Sequence, residues 1–177
     1  MGTTIAAMTA PTDDAALDGV EAVFRAEYRR LVGLARLLVD DVGQAEEVVQ
    51  DAFVDLHRHW SRLRDRSAAQ AWLRAAVVNR SRGTLRRRAT VRRHLRSVEP
   101  PLATGPDERA VLSDEHRAVA AALRSLPERQ RACVALRYYD DLTEAQIAET
   151  LGISTGSVKT HVHRAMAALA TTLEDLR

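Results

Sequence analysis

The 177-residue chain has a single cysteine, Cys133, so an internal disulfide is excluded and a reducing compartment fits. Its apolar neighbours Ala132, Val134 and Leu136 point to a buried thiol rather than a reactive one. Aromatic residues make up only 4% and strand-forming runs are scarce, while alanine, leucine, arginine and glutamate dominate. An all-α fold follows. No apolar run approaches the roughly 20 residues that a membrane span requires. Residues 1–18 are Ala/Thr/Asp-rich and lack the basic start and long apolar segment of a signal peptide. They are expected to form a disordered tail on a soluble, cytoplasmic protein. There is no glycine loop of the G-x-x-x-x-G-K type to hold a nucleotide, and no Cys/His cluster. His57 and His59, like His161 and His163, are two apart and on a helix point about 160° from each other. Neither pair chelates one metal unaided. No cofactor, metal, small-molecule substrate or membrane partner is expected, and no catalysis.

Lysine is almost missing as well: of 26 basic residues, Lys159 alone is not arginine. The net charge is only +2, but its placement is uneven. Arg80, Arg82, Arg86, Arg87, Arg88, Arg92, Arg93 and Arg96 fall in one stretch that contains no acid. Upstream, Asp40, Asp41, Glu46, Glu47, Asp51 and Asp55 dominate. Dense arginine meets phosphate well, because each neutralised phosphate releases counterions. A membrane-surface patch fits less, since the stretch lacks exposed apolar groups to insert. Just upstream, Asn79 has the chemistry to pair with adenine. Trp72 could stack on an unpaired base, although beside Leu73 it reads first as core.

Periodicity organises the chain into helices. Val20, Val23, Phe24, Leu31, Leu34, Ala35 and Leu38 mark one. After the Asp40-Asp41 break, Ala45, Val48, Val49, Ala52, Phe53, Leu56 and Trp60 mark a second. Ser67 with Gln70 predicts a capping box, opening a third through Trp72, Leu73, Ala76 and Val77 into Leu85. These three enclose one core, giving a first domain over 19–95. Pro100, Pro101, Thr104, Gly105 and Pro106 then interrupt any apolar stripe, so 96–114 reads as a flexible linker. A second domain spans 115–177. Ala118, Ala121, Ala122 and Leu126 mark its first helix, and Pro127 stands where the next begins.

The stretch 142–169 predicts a helix-turn-helix. Thr143 caps the first helix and Gln146 completes a capping box. Ile147, Ala148 and Leu151 form its apolar side, and Gly152 ends it. Ser154 or Thr155 caps the second helix. At 100° per residue, Val158, Val162, Ala165, Met166 and Leu169 share the inner side. Ser157, Thr160, His163 and Arg164 lie opposite, flanked by Lys159 and His161. No carboxylate occurs from 154 to 173. Such a face suits phosphates and base edges.

Together these blocks resemble the sigma-70 family, and within it the extracytoplasmic-function (ECF) sigma factors that keep only domains 2 and 4, notably the short actinobacterial SigE-type group. AEEVVQDAFVDLHRHW (45–60) is similar to region 2.2, and AWLRAAVVNRSRGTLRRR (71–88) to regions 2.3 and 2.4. LRSLPERQRACVALRYYDDLTEAQIAETLGISTGSVKTHVHRAMAAL (123–169) is similar to region 4. The resemblance covers about 24–93 and 115–173. It implies an RNA polymerase sigma factor that binds core polymerase and directs promoter-specific initiation. Glu46, Glu47, Gln50, Asp51 and Asp55 would then dock on the polymerase clamp, Glu47 standing where the family usually has aspartate. Ser67, Gln70 and Asn79 match positions that capture a flipped base of the −10 element, and Arg80, Arg82, Arg86, Arg87 and Arg88 would hold its backbone. Ser157, Lys159, Thr160, His161, His163 and Arg164 would meet the −35 element. Core polymerase and promoter DNA are the partners implied; many relatives also have an anti-sigma factor.

Two other readings stand beside this one. SVKTHVHR also resembles the recognition helix of free-standing LuxR-type regulators, but those carry a strand-containing domain upstream, and residues 1–115 show none. A recombinase with a C-terminal helix-turn-helix would need a positioned nucleophile or metal ligands, which the chain does not display.

Overall fold

The computed structural model describes residues 13–39, 41–63, 65–94 and 114–174. Among them are seven α-helices, two short 3-10 turns and no strand. The segment 96–113 expected to be a linker, and residues 1–12 of the expected tail, lie outside the described residues. So does the side chain of Arg88.

The first two helices form by apolar phase and end where that phase breaks. α1 (Asp13–Leu38) begins inside the segment expected to be a tail. α2 (Val42–His59) is capped by Asp41, whose carboxylate accepts the Gln44 N–H at 3.1 Å. After it come the turns Trp60–Arg62 and Arg66–Ala68, then α3 (Ala69–His94), which runs well past Leu85. Leu31 and Ala35 of α1, Val49, Ala52 and Leu56 of α2, and Leu73 and Val77 of α3 close one buried core, with Trp60 against its end. Burying each large aliphatic side chain contributes about 1.5–3 kcal/mol.

The entry to α3 departs from expectation. Asp65, not Ser67, is the cap: its carboxylate accepts both the Ser67 N–H (2.8 Å) and the Ser67 hydroxyl (2.6 Å). A carboxylate is the stronger acceptor at that end, and these bonds hold the Asp65 carboxyl below its ordinary pKa. Gln70 is drawn away, donating from Nε2 to Glu27 Oε1 at 3.0 Å.

α4 (Asp114–Ser125), α5 (Glu128–Tyr138), α6 (Glu144–Leu151) and α7 (Thr155–Glu174) follow. Ala122 and Leu123 of α4 and Leu126 just after it are buried, while Ala121 faces outward. The helix-turn-helix is built on local signals. Thr143 and Gln146 make both bonds of the capping box, and Gly152 ends α6 at φ 63°, a left-handed conformation that glycine adopts without a Cβ penalty. Ser154 Oγ accepts the Ser157 N–H at 3.1 Å and starts α7. Val158 and Ala165 are fully buried. Met166, expected inside, is 43% exposed; at 100° per residue it falls about 80° from Val158, on the rim of the inner stripe.

These elements share a second core. Leu34 and Leu38 of α1 and Val78 of α3 are buried with Ala132, Cys133, Leu136, Ile147 and Val158 of α5–α7. Burial pushes the Cys133 thiol up to about 11, so it stays protonated and unreactive at neutral pH.

Candidate nucleic-acid interface

α7 carries the expected outer face. Thr160, His163 and Arg164 are exposed at i, i+3 and i+4, on one side of the helix. Lys159 is exposed beside them, its Nζ 3.5 Å from Glu144 Oε2. The other two residues of the set differ. Ser157 is half-buried and shares a 2.9 Å hydrogen bond with the Ser154 hydroxyl, so it belongs to the helix start. His161 is half-buried too, with a buried Nδ1 that has no hydrogen-bond partner. The exposed polar face is thus narrower than the sequence suggests.

On α3 the arginines are sorted by helical phase. Arg80 turns toward α2, donating from Nη1 to Asp51 Oδ2 at 3.0 Å and from Nη2 to Asp55 Oδ2. The hydrogen bond from Arg80 holds the Asp55 carboxyl below its ordinary value, against the upward push of burial. This pair persists at neutral pH and is given up only as pH falls through that lowered value. Arg82 and Arg86 point elsewhere: Arg82 Nε donates to Glu128 Oε1 of α5, and Arg86 Nε lies 3.6 Å from Glu128 Oε2. The stretch that lacks acids in sequence therefore gains them across helix contacts. Asn79 and Arg87 are exposed. Trp72 is half-buried, its ring centroid 6.1 Å from that of His59.

On α2, Glu46, Glu47, Gln50 and Asp51 are exposed, and Asp55 is partly covered by Arg80. Val54 is 46% exposed among them. Sequence reasoning passed it over, yet a signal existed: Val54 lies out of phase with Ala45, Val48, Val49, Ala52, Phe53 and Leu56. An exposed valine among carboxylates equips this face for both charge pairing and apolar contact.

No helix among the described residues is long and apolar enough to cross a membrane. What the molecule offers is an acidic surface on α2, a partly compensated basic surface on α3, and a cationic outer face on α7.

Comparison with known proteins gives two family matches, Sigma-70 region 2 over residues 23–91 and Sigma-70 region 4 over residues 116–169. The RNA polymerase sigma-E factor of Streptomyces avermitilis is 32% identical over 158 residues, covering 87% of this chain and 84% of that protein. ECF RNA polymerase sigma factor SigK of Mycolicibacterium vanbaalenii is 34% identical over 147 residues, covering 79% and 74%. Among solved structures, the sigma factor RpoE in complex with the anti-sigma factor NepR from Bartonella quintana aligns with a TM-score of 0.72 at 22% identity, over 89% of this chain and 98% of that one. That last likeness is one of fold.

Proposed function

The chain belongs to the sigma-70 family, and on that premise we propose which surfaces carry its work. It is an RNA polymerase sigma factor of the ECF type, binding core polymerase and directing promoter-specific initiation. In our reading the functional units are 19–95 and 115–177, joined by 96–114. The α2 face of Glu46, Glu47, Gln50, Asp51 and Asp55, with Val54 added, meets polymerase. Asn79, with Ser67 in the turn before α3 and Gln70 at its start, takes the −10 element, while Arg82, Arg86, Arg87 and Arg88 hold its phosphates. Thr160, His163 and Arg164 read the −35 element, with Lys159 at the edge.

The observation that carries this is the outer face of α7: cations and hydrogen-bond donors on the second helix of a helix-turn-helix, with no carboxylate before its last residue, Glu174. The chain performs no catalysis in this scheme. Binding energy positions polymerase and holds an unpaired base outside the stack, offsetting the cost of melting. It works in the cytoplasm, where polymerase and DNA meet. A free-standing LuxR-type regulator is the reading that loses, because both family matches are to sigma regions.

The decisive experiment combines the purified chain with core polymerase on a promoter located by transcript mapping. Specific starts that appear only with both components support the assignment; their absence ends it. Reversing Glu46 and Glu47 to lysine is expected to weaken core binding at least about tenfold, since like charges facing each other cost several kcal/mol. Both side chains are exposed, so the thermal melting curve should hardly move.

A separate expectation concerns specificity. Arg164→Ala should cost about 1–3 kcal/mol at one −35 base pair if the guanidinium reads that base, and about the same on every sequence if it touches phosphate. Competition among promoter variants distinguishes the two. No dependence on Arg164 at all would remove α7 from the interface.

A further inference from the structure

Beside Asn79 the fold assembles a surface from residues that the sequence keeps apart. α2 ends at His59, which is exposed, and its ring centroid stands 6.1 Å from that of Trp72 in the first turn of α3, tilted by 37°. Trp72 and Asn79 are seven residues apart on α3, so they share one face, within about 20° of each other and about 10 Å apart along the axis. Ala75 and Ala76, both half-buried, fall between them on that face. Two alanines leave a shallow floor. Arg80, next to Asn79, crosses to Asp55 of α2, so the end of α2 borders the same depression. Trp72 offers its half-buried ring as a surface on which an unpaired base stacks.

The hydrogen-bonding groups around this depression are not alike. The Asn79 side chain makes no hydrogen bond with the described residues. Its amide therefore turns over and offers either its oxygen or its N–H to a base. Through one contact such a group fits an amine and a carbonyl equally. His59 is tied. Its Nδ1 lies 2.8 Å from the Asp55 carbonyl oxygen, and a carbonyl only accepts, so Nδ1 carries the proton. In the neutral ring Nε2 is then left as a bare acceptor.

We propose that His59 is a specificity-determining residue of the −10 contact, selecting through Nε2 a base whose facing edge carries an exocyclic amine, cytosine or adenine, over one that carries a carbonyl there. The inference rests on the assignment of Asn79 to the −10 element. An amine donates to Nε2 and the bond closes. A carbonyl oxygen in the same place sets acceptor against acceptor. With the base stacked on Trp72 and water displaced, that mismatch costs at least about tenfold in affinity. Asn79 turns to suit either base, and the locked imidazole does not. Stacking on Trp72 is nearly blind to sequence, because every base has a π-face. Recognition is thus divided: Trp72 and Asn79 hold the base, and His59 selects it.

The test uses the full chain with core polymerase on forked promoter DNA whose non-template strand is unpaired across the −10 element. At each position in turn that strand carries cytosine or uracil, then adenine or hypoxanthine, pairs of one shape that exchange an amine for a carbonyl. The parent should favour the amine at least about tenfold at one position. His59→Ala should bring that ratio close to one there and leave the other positions as they were. His59→Arg puts donors in the same place and should invert the preference; its added charge acts on both members of a pair and cancels in the ratio. Asn79→Ala should weaken binding to both members alike and keep the ratio. His59 and Asn79 are exposed, so the helical circular dichroism of all three variants should match that of the parent.

If His59→Ala keeps the parent's ratio, or if the parent favours the amine at no position, His59 does not select. If Asn79→Ala binds every fork as the parent does, the −10 assignment of Asn79 falls and His59 falls with it. A weakened Asn79→Ala beside an unmoved ratio in His59→Ala removes the histidine alone. None of these results touches the sigma assignment, which fails only if the chain gives no specific starts with core polymerase.

Discussion

Replacing Val158 with aspartate is expected to unfold the helix-turn-helix while leaving the α1–α3 core standing. Val158 is fully buried among Ile147, Ala148, Leu136 and Ala132, in the cluster that joins α5, α6 and α7 with Leu34 and Leu38 of α1 and Val78 of α3. The substitution forfeits about 1.5–3 kcal/mol of apolar burial. It also places a carboxylate where no cation is at hand, costing several kcal/mol more. A domain holds only about 5–15 kcal/mol in total, so the loss takes most or all of it. The core of Leu31, Val49, Leu56, Leu73 and Val77 includes no residue of α4–α7, so the first three helices have reason to persist. Circular dichroism should show partial loss of helix and a weaker or absent main transition, and transcription from promoters that need the −35 element should vanish. Arg164→Ala on the same helix is exposed and should shift stability by no more than about 0.5 kcal/mol. A Val158→Asp chain that melts like its parent would mean that this position is not in the core.

That contrast shows which parts of the fold were legible. The helix-turn-helix could be read because its signals are local: Thr143 and Gln146 are three residues apart, and Gly152 and Ser154 act on their own turns. Apolar phase gave the inner faces of α1, α2 and α7 for a similar reason, since 3.6-residue periodicity needs no partner to be visible. It failed at Met166, on the rim of a stripe, where phase alone does not say how wide the covering helix is. The α3 entry failed for a chemical reason. Ser67 and Gln70 have the right spacing for a capping box, but a carboxylate two residues earlier competes for the same donors and wins.

The electrostatics were the least legible, because each pairing joins residues far apart in the chain. Arg80 meets Asp55 across 25 positions, Arg82 meets Glu128 across 46, and Arg74 meets Asp140 across 66. No local pattern announces such pairs. By sequence the eight arginines are equivalent; the fold makes the described ones, Arg80, Arg82, Arg86 and Arg87, unequal. Of the four whose side chains are described, Arg80 is spent on α2, Arg82 and Arg86 face Glu128, and Arg87 stands outward. Nothing in sequence marks Glu128 or Asp140 as an arginine's partner, because an acid carries no phase that points to a distant cation.

This inequality has a measurable consequence in the salt dependence of promoter binding. Each phosphate neutralised on duplex DNA contributes about 0.9 to the slope of log affinity against log salt concentration. Changing Arg86 and Arg87 together to alanine should therefore flatten that slope by roughly 1.8. The counterion contribution vanishes near 1 M salt, so at about 0.15 M the same two contacts account for roughly a thirtyfold loss of affinity. The loss should be the same on every promoter sequence, because phosphate contacts position without specifying. Arg80→Ala should behave differently. Its charge is already compensated by Asp51 and Asp55, so the slope should change by much less than 0.9. Removing it also frees two carboxylates on the surface assigned to polymerase, so its main effect should fall on core binding. Titrations of polymerase-bound chain onto labelled promoter at several salt concentrations separate these cases. Equal slope changes for Arg80 and for Arg87 taken singly would refute the sorting of arginines by helical phase. An unchanged slope in the Arg86/Arg87 double variant would refute the basic face of α3 as a phosphate grip, whatever the recognition helix does.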